Sequence, residues 1–171
     1  RIAPCLLASL LLPPALQAEE TTLLVTQESR DDAGYQPHSS VTAARAPMKI
    51  IDTPQNVTVV PHQFLDDRAA QDVDEALGYV SGITQSNTLG GTQDAMIKRG
   101  FGDNRDGSIL RDGVRSIQAR NFTPTSERVE VLKGPSSMLY GMNEPGGLIN
   151  VISKKPQLTP RVHLEGRSSS V

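Results

Sequence analysis

The apolar residues of this 171-residue chain fall into one continuous run followed by short, spaced groups. The run comes first. Ile2 to Leu16 is almost wholly apolar, follows Arg1 and leads into Leu16-Gln17-Ala18. An apolar stretch that ends on a small residue reads as the core and cleavage site of a secretory signal peptide, residues 1–18. Pro4, Pro13 and Pro14 count against a short buried helix there. The chain opens on Arg rather than Met, so the basic start of such a leader would be missing. Residues 19–47 are rich in Thr, Ser, Ala, Gln and charge, with one apolar patch at Leu23-Leu24-Val25. They read as a flexible arm, and the folded part is expected to start near Ile50.

From there the periodicity alternates between two kinds. Gln55 to Val60 is β-rich and sits between Pro54 and Pro61. Phe64 to Val80 predicts a helix in one or two pieces: Val73, Leu77 and Val80 fall at helical spacing, Ala69, Ala70 and Ala76 support it, and Gly82 lies just beyond. Short strands come next at Ala95–Arg99 and Ser108–Leu110, with a turn at Asp112-Gly113. Val129 to Leu132 alternates strictly and predicts a strand. Pro135 to Tyr140 predicts a short helix with Pro in its first position, and Leu148 to Ile152 a further strand. Residues 161–171 alternate and stop without a turn. The sum is an α+β domain: a small mixed sheet, short helices and long loops.

Composition narrows what this domain can do. Aromatics make up 4% and hydrophobic residues 37%, so the core is thin and aliphatic. Seventeen basic against nineteen acidic residues leave a net charge of −2, which argues against nucleic acid as a partner. No stretch reaches the roughly 18 apolar residues of a membrane helix, and without Trp there is no aromatic girdle of a membrane barrel. Cys5, the only cysteine, lies in the leader. The remainder is expected to hold no disulfide, Cys-based metal site or Cys nucleophile. Three scattered histidines (His38, His62, His163) make a His-rich metal site unexpected. No metalloprotease, nucleophile-elbow, P-loop or dinucleotide motif occurs, and Asp66-Asp67 reads as a charged helix face. An enzyme is not expected, and no catalytic residue is assigned.

Four segments share one context. Asp52-Thr53-Pro54-Gln55-Asn56-Val57-Thr58-Val59-Val60 comes first, then Arg99-Gly100-Phe101 after a strand. Glu127-Arg128-Val129-Glu130-Val131-Leu132-Lys133-Gly134-Pro135-Ser136-Ser137-Met138-Leu139-Tyr140-Gly141 is a strand, turn and helix. Pro145-Gly146-Gly147-Leu148-Ile149-Asn150-Val151-Ile152-Ser153-Lys154-Lys155-Pro156 closes the block. Together they closely resemble the plug domain of TonB-dependent outer-membrane receptors, and most of all the ferric-siderophore branch. The likeness runs from about Thr21 to Pro156, in the family's order.

The resemblance implies an organisation and a set of partners. Residues 48–156 would be the plug, 157–171 the start of the chain's own C-terminal β-barrel, and 19–47 a periplasmic arm. A barrel of about 22 strands at roughly ten residues each needs several hundred residues, so the chain is expected to be a fragment truncated before the barrel. Thr21-Thr22-Leu23-Leu24-Val25-Thr26 resembles the TonB box, which would pair as an added strand with TonB and, through it, the inner-membrane energising complex. The family has an acidic residue where Thr21 stands; Glu20 is one place early. The arm is too short for a signalling domain, so a plain transporter is expected. Arg99 and Lys133 match cations that lock the plug to barrel glutamates, although Lys133 reads equally well as a solvent-facing cation.

Ligand contacts would come from three outward loops, Gln85–Gln93, Gly102–Gly107 and Ser116–Phe122. The donors and the aromatic suited to a polar chelate are Asn87, Arg105, Arg120, Asn121 and Phe122. The expected function is active uptake of a ferric siderophore across the outer membrane of a Gram-negative cell. The siderophore is transported ligand, and no resident cofactor or protein-bound metal is expected. The alternatives are a TonB-dependent receptor for haem, cobalamin or a saccharide, or a stand-alone periplasmic binding domain. None of the three loops carries the His a haem receptor tends to present.

Overall fold

The computed structural model describes residues 34–102, 107–116 and 118–156, with Val162 and Gly166 beyond them. The chain divides into two units, Arg1–Arg30 and Asp31–Val171, and every described residue belongs to the second. The leader, the Thr21–Thr26 segment, Arg105 and nearly all of the proposed barrel start lie outside the described residues.

A five-stranded sheet organises the second unit. Its order is β3 (Asn56–Val60), β8 (Ser126–Lys133), β9 (Gly147–Ser153), β6 (Ile109–Arg111) and β7 (Val114–Arg115). All neighbours are antiparallel except β6 and β9, so the sheet is mixed. Two small antiparallel ladders flank it: β1 (Ser39–Ser40) with β2 (Met48–Lys49), and β4 (Ile83–Gln85) with β5 (Met96–Lys98). Among the described residues there are also three short α-helices, α1 (His62–Asp67), α2 (Val73–Leu77) and α3 (Ser137–Tyr140), and a 3-10 turn at Ile50–Asp52.

Strand alternation decides how the two faces are used. Val129 and Val131 of β8 lie opposite Val151 and Ile149 of β9. These four join Val60, Leu65, Val73, Ala76, Leu77, Ile83 and Met96 in the main core, beneath α1 and α2. Each fully buried aliphatic side chain there contributes about 1.5–3 kcal/mol. On the other face Leu132 and Leu148 pack with Leu110 and Ala43, and Val57 and Tyr140 lean against them. Glu130 and Asn150 are also on this second face, directly opposite one another.

The predicted helix over Phe64–Val80 forms in two pieces. Ala69, at φ +52°, breaks it, and the Ala70 N–H returns to the Leu65 carbonyl. Asp72 then caps α2 by accepting from the Glu75 N–H at 3.0 Å. The turn at Asp112-Gly113 joins β6 to β7 as expected, with both residues at positive φ. The helix expected from Pro135 starts two residues later, at Ser137, with Ser136 in the cap position.

One expectation is corrected. The folded part does not start near Ile50, and the stretch before Pro47 is not all a free arm. Ser40 and Thr42 are fully buried and Ala43 belongs to the second core. Short Ser and Thr side chains that read as linker composition are here the partners of buried polar groups on the sheet.

Candidate functional site

β5 ends in a tight turn that displays Arg99. Lys98 and Phe101 exchange two backbone hydrogen bonds, of 2.8 and 2.9 Å. Between them Arg99 and Gly100 take φ +53° and +84°, the two positive values a type I′ turn requires. Arg in this region costs about 1 kcal/mol or more. The Arg99 N–H offsets part of that by donating to the Gly82 carbonyl at 2.6 Å. The Arg99 side chain is exposed as a result, while Lys98 next to it is buried and donates from Nζ to the Met96 carbonyl at 3.0 Å.

Lys133 reaches the same place from the end of β8. Its Nζ donates to the Ser81 hydroxyl at 3.1 Å. Asn56, Ser81, Gly82, Arg99 and Lys133 line one open cleft of about 300 Å³. The two cations, 34 positions apart in the sequence, therefore share a single opening. Neither forms an ion pair with an acidic residue among the described residues. Two cations at one opening give it the chemistry to bind a carboxylate.

The predicted ligand residues divide into two groups. Asn87 is exposed, and its side-chain oxygen accepts from the Leu89 N–H at 2.9 Å, closing an Asx turn. Leu89 projects from that loop, more than half exposed. Arg120 is exposed and pairs with Asp72 at 3.0 Å. Asn121 is buried: its backbone N–H donates to Asp94 Oδ2 at 2.5 Å and its side-chain Nδ2 to the same atom at 3.3 Å. Phe122 is half-buried against the main core. Asn121 and Phe122 thus fasten the loop that presents Arg120. Composition marks both residue types as recognition chemistry, and only the fold turns them inward.

A second concavity of about 350 Å³, lined by Arg111, Asp112, Val114, Arg115, Ser116 and Gln118, opens beside this loop. Arg115 reaches across it to the Met142 carbonyl and the Asn143 side chain. Arg111 is tied to the hydroxyls of Ser153, Thr123 and Thr125. The amino-acid sequence singles out neither arginine, because no motif surrounds them. Among the described residues no three His, Cys, Asp or Glu side chains are grouped to hold a metal ion.

Two carboxyls near Asp72, the partner of Arg120, are held above the usual carboxylate range. Burial raises the Asp94 carboxyl above its usual range despite the hydrogen bonds from Asn121 and the charge of Arg120. Burial, then the hydrogen bond and charge of Asp72, raise Asp74 from 3.8 to about 6. A carboxyl raised on folding favours the native state while it holds its proton. Its contribution is fully present below pH 3.8 and is lost as pH rises through about 6. The Asp74 contribution is therefore expected to fall between about pH 4 and 6, and Asp74→Asn to remove that component of the profile. Urea denaturation midpoints of both proteins at pH 4.5 and 7.5 measure the difference. Equal pH slopes would remove Asp74 as the cause.

The family described as TonB-dependent Receptor Plug Domain matches residues 49–148, more than half of the chain. The metal-pseudopaline receptor CntO of Pseudomonas aeruginosa is 34% identical over 169 residues, covering 98% of this chain and 24% of that protein. The ferrioxamine receptor of Yersinia enterocolitica is 33% identical over 163 residues, covering 88% of this chain and 23% of the receptor. Among solved structures, the siderophore receptor PiuA from Acinetobacter baumannii superimposes with a TM-score of 0.63 at 31% identity, over 75% of this chain and 18% of that one. The chain thus spans about a quarter of the length of the curated relatives it matches.

Proposed function

Since the chain belongs to the family of TonB-dependent receptor plug domains, we propose that it is the gate of an outer-membrane receptor that takes up a ferric siderophore. The observation that carries this reading is the similarity, over nearly the whole chain, to receptors named for metal-pseudopaline and ferrioxamine. Both names point to a chelated metal as cargo and favour that class over haem, cobalamin or a saccharide. A stand-alone periplasmic domain has no support in relatives about four times as long.

In this reading the cleft of Arg99 and Lys133 receives glutamates of a surrounding barrel and locks the plug. Arg120, exposed on the loop that Asn121 and Phe122 fasten, and Asn87, exposed on its own loop, offer donors to an anionic chelate. They act by binding and orienting, and iron stays with its chelator. Thr21–Thr26 engages TonB by strand addition, with Leu23 and Val25 on one face of the strand.

The test is uptake of a radiolabelled ferric chelate, drawn from a siderophore panel, by cells that make the full-length protein. Leu23→Pro removes a backbone donor and blocks strand pairing, so uptake is expected to fall by about tenfold or more. Chelate binding to intact cells is expected to stay unchanged. Normal uptake would overturn the TonB-box assignment, and binding of no ferric siderophore in the panel would overturn the substrate class.

A further inference from the structure

Glu130 has no solvent exposure, and its ion pair is with Arg128 on its own strand, at 2.8 Å, rather than with a cation across the ladder. An ionised carboxylate survives such burial only when its oxygens are hydrogen-bonded. Most of the donors come from about 90 residues upstream. The Ser40 hydroxyl donates at 2.6 Å, the Thr42 N–H at 2.9 Å and the Val41 N–H at 3.1 Å. Arg128 adds its Nε at 2.8 Å. Around this centre Asn150 Nδ2 donates to the Thr42 hydroxyl at 3.0 Å, and the Tyr140 hydroxyl donates to the Thr42 carbonyl at 2.8 Å. Polar groups of residues 40–42 thus end on β8, β9 and α3.

Among the described residues the same segment forms no ladder with the five-stranded sheet, and its strand pairing is the two-residue β1–β2 ladder. A long ladder shares load over many backbone bonds, whereas here three of the bonds gather on the Glu130 carboxylate, with Asn150 and Tyr140 each adding one to Thr42. Further along the chain, β3 is an edge strand that, among the described residues, pairs with β8 and no other strand. Its first residue, Asn56, pairs with Lys133 and lines the cleft of the two cations.

We propose that Glu130 is the positioning residue that latches residues 40–42 to the plug. Loss of its hydrogen bonds is the event that lets the segment leave the sheet. This deepens the gating function proposed above and rests on it for its biological meaning: a pull from the N-terminal side meets Glu130 before it meets β3 and the cation cleft.

The test pulls the full-length protein in a lipid bilayer by an N-terminal tag in a force microscope, with no ligand or TonB present. The wild type is expected to give a first rupture that Glu130→Gln weakens or abolishes, with later ruptures unchanged. Hydrogen exchange of the same proteins in detergent is the second measurement. The Val41 and Thr42 amides are expected to exchange about tenfold faster or more in the variant, while those of Val129 and Val151 stay protected. Should Glu130→Gln unfold the sheet, Ser40→Ala, which removes one donor to Glu130 and a 3.3 Å acceptor of the Thr42 N–H, is expected to speed exchange at 41 and 42 alone, the effect at Val41 being the one that reports on Glu130. An unaltered first rupture overturns the latch, as does unaltered exchange at residues 41 and 42 in both variants. Neither readout involves uptake, so the latch can fail while the transport reading stands, and the reverse.

Discussion

Alanine at position 147 is expected to destabilise the fold by about 3–5 kcal/mol, which lowers the melting temperature by roughly 6–20 °C. Gly147 opens β9 opposite Lys133 and takes φ +124°, a region L side chains rarely enter. A Cβ there would stand 2.1 Å from the Leu132 carbonyl oxygen and 3.1 Å from the Gly134 nitrogen. Both are backbone atoms beside the central β8–β9 ladder, so relief requires moving the ladder itself. Gly146 is as tight: its Cβ would lie 2.1 Å from the Lys98 carbonyl oxygen and 3.0 Å from the Phe101 Cβ. Gly146→Ala would therefore displace the turn that displays Arg99. Gly166, where an added Cβ meets nothing, is the control and should stay within about 0.5 kcal/mol. Thermal melts followed by far-ultraviolet circular dichroism measure all three. A Gly147→Ala melt within about 2 °C of the wild type would show that the ladder yields more easily than this geometry permits.

Glu130→Ala is the second large effect, expected at about 3–5 kcal/mol. The substitution leaves the Ser40 hydroxyl, two backbone N–H groups and one bond of Arg128 without their acceptor, in a place water does not reach. Truncation also opens a cavity between β8 and residues 40–42. Glu130→Gln keeps the volume and one acceptor oxygen, so its cost is expected to be smaller. Urea denaturation of the three proteins, with midpoints compared at one pH, ranks them. Equal midpoints for wild type and Glu130→Ala would mean that the carboxylate is solvated rather than buried.

The elements that were legible in advance are those whose signal is local. The strand at 56–60, the alternation of 129–132 and the Asp112-Gly113 turn each depend on neighbours within a few positions. Val73 and Leu77 share one buried helical face, again a local pattern. The family resemblance was legible for a related reason: glycines and strand residues in a given order mark turns and ladders that few other sequences need. Boundaries were less clear. The strand expected at 129–132 runs from 126 to 133, because pairing with β9 extends it past its apolar stretch.

The amino-acid sequence by itself determined the α+β class, the main strands, the helical character of the 64–80 stretch and the plug-family membership, because periodicity and turn chemistry are written in adjacent residues. Only the tertiary structure decided three further things. It brought Arg99 and Lys133 into one cleft, turned Asn121 inward while leaving Arg120 outside, and buried Ser40 and Thr42 against Glu130. Ser, Thr and Glu carry no apolar period, and their default place is in water. Their burial depends on partners about 90 positions away, a pairing that exists only once the sheet has folded and the chain before it has been laid across its second face.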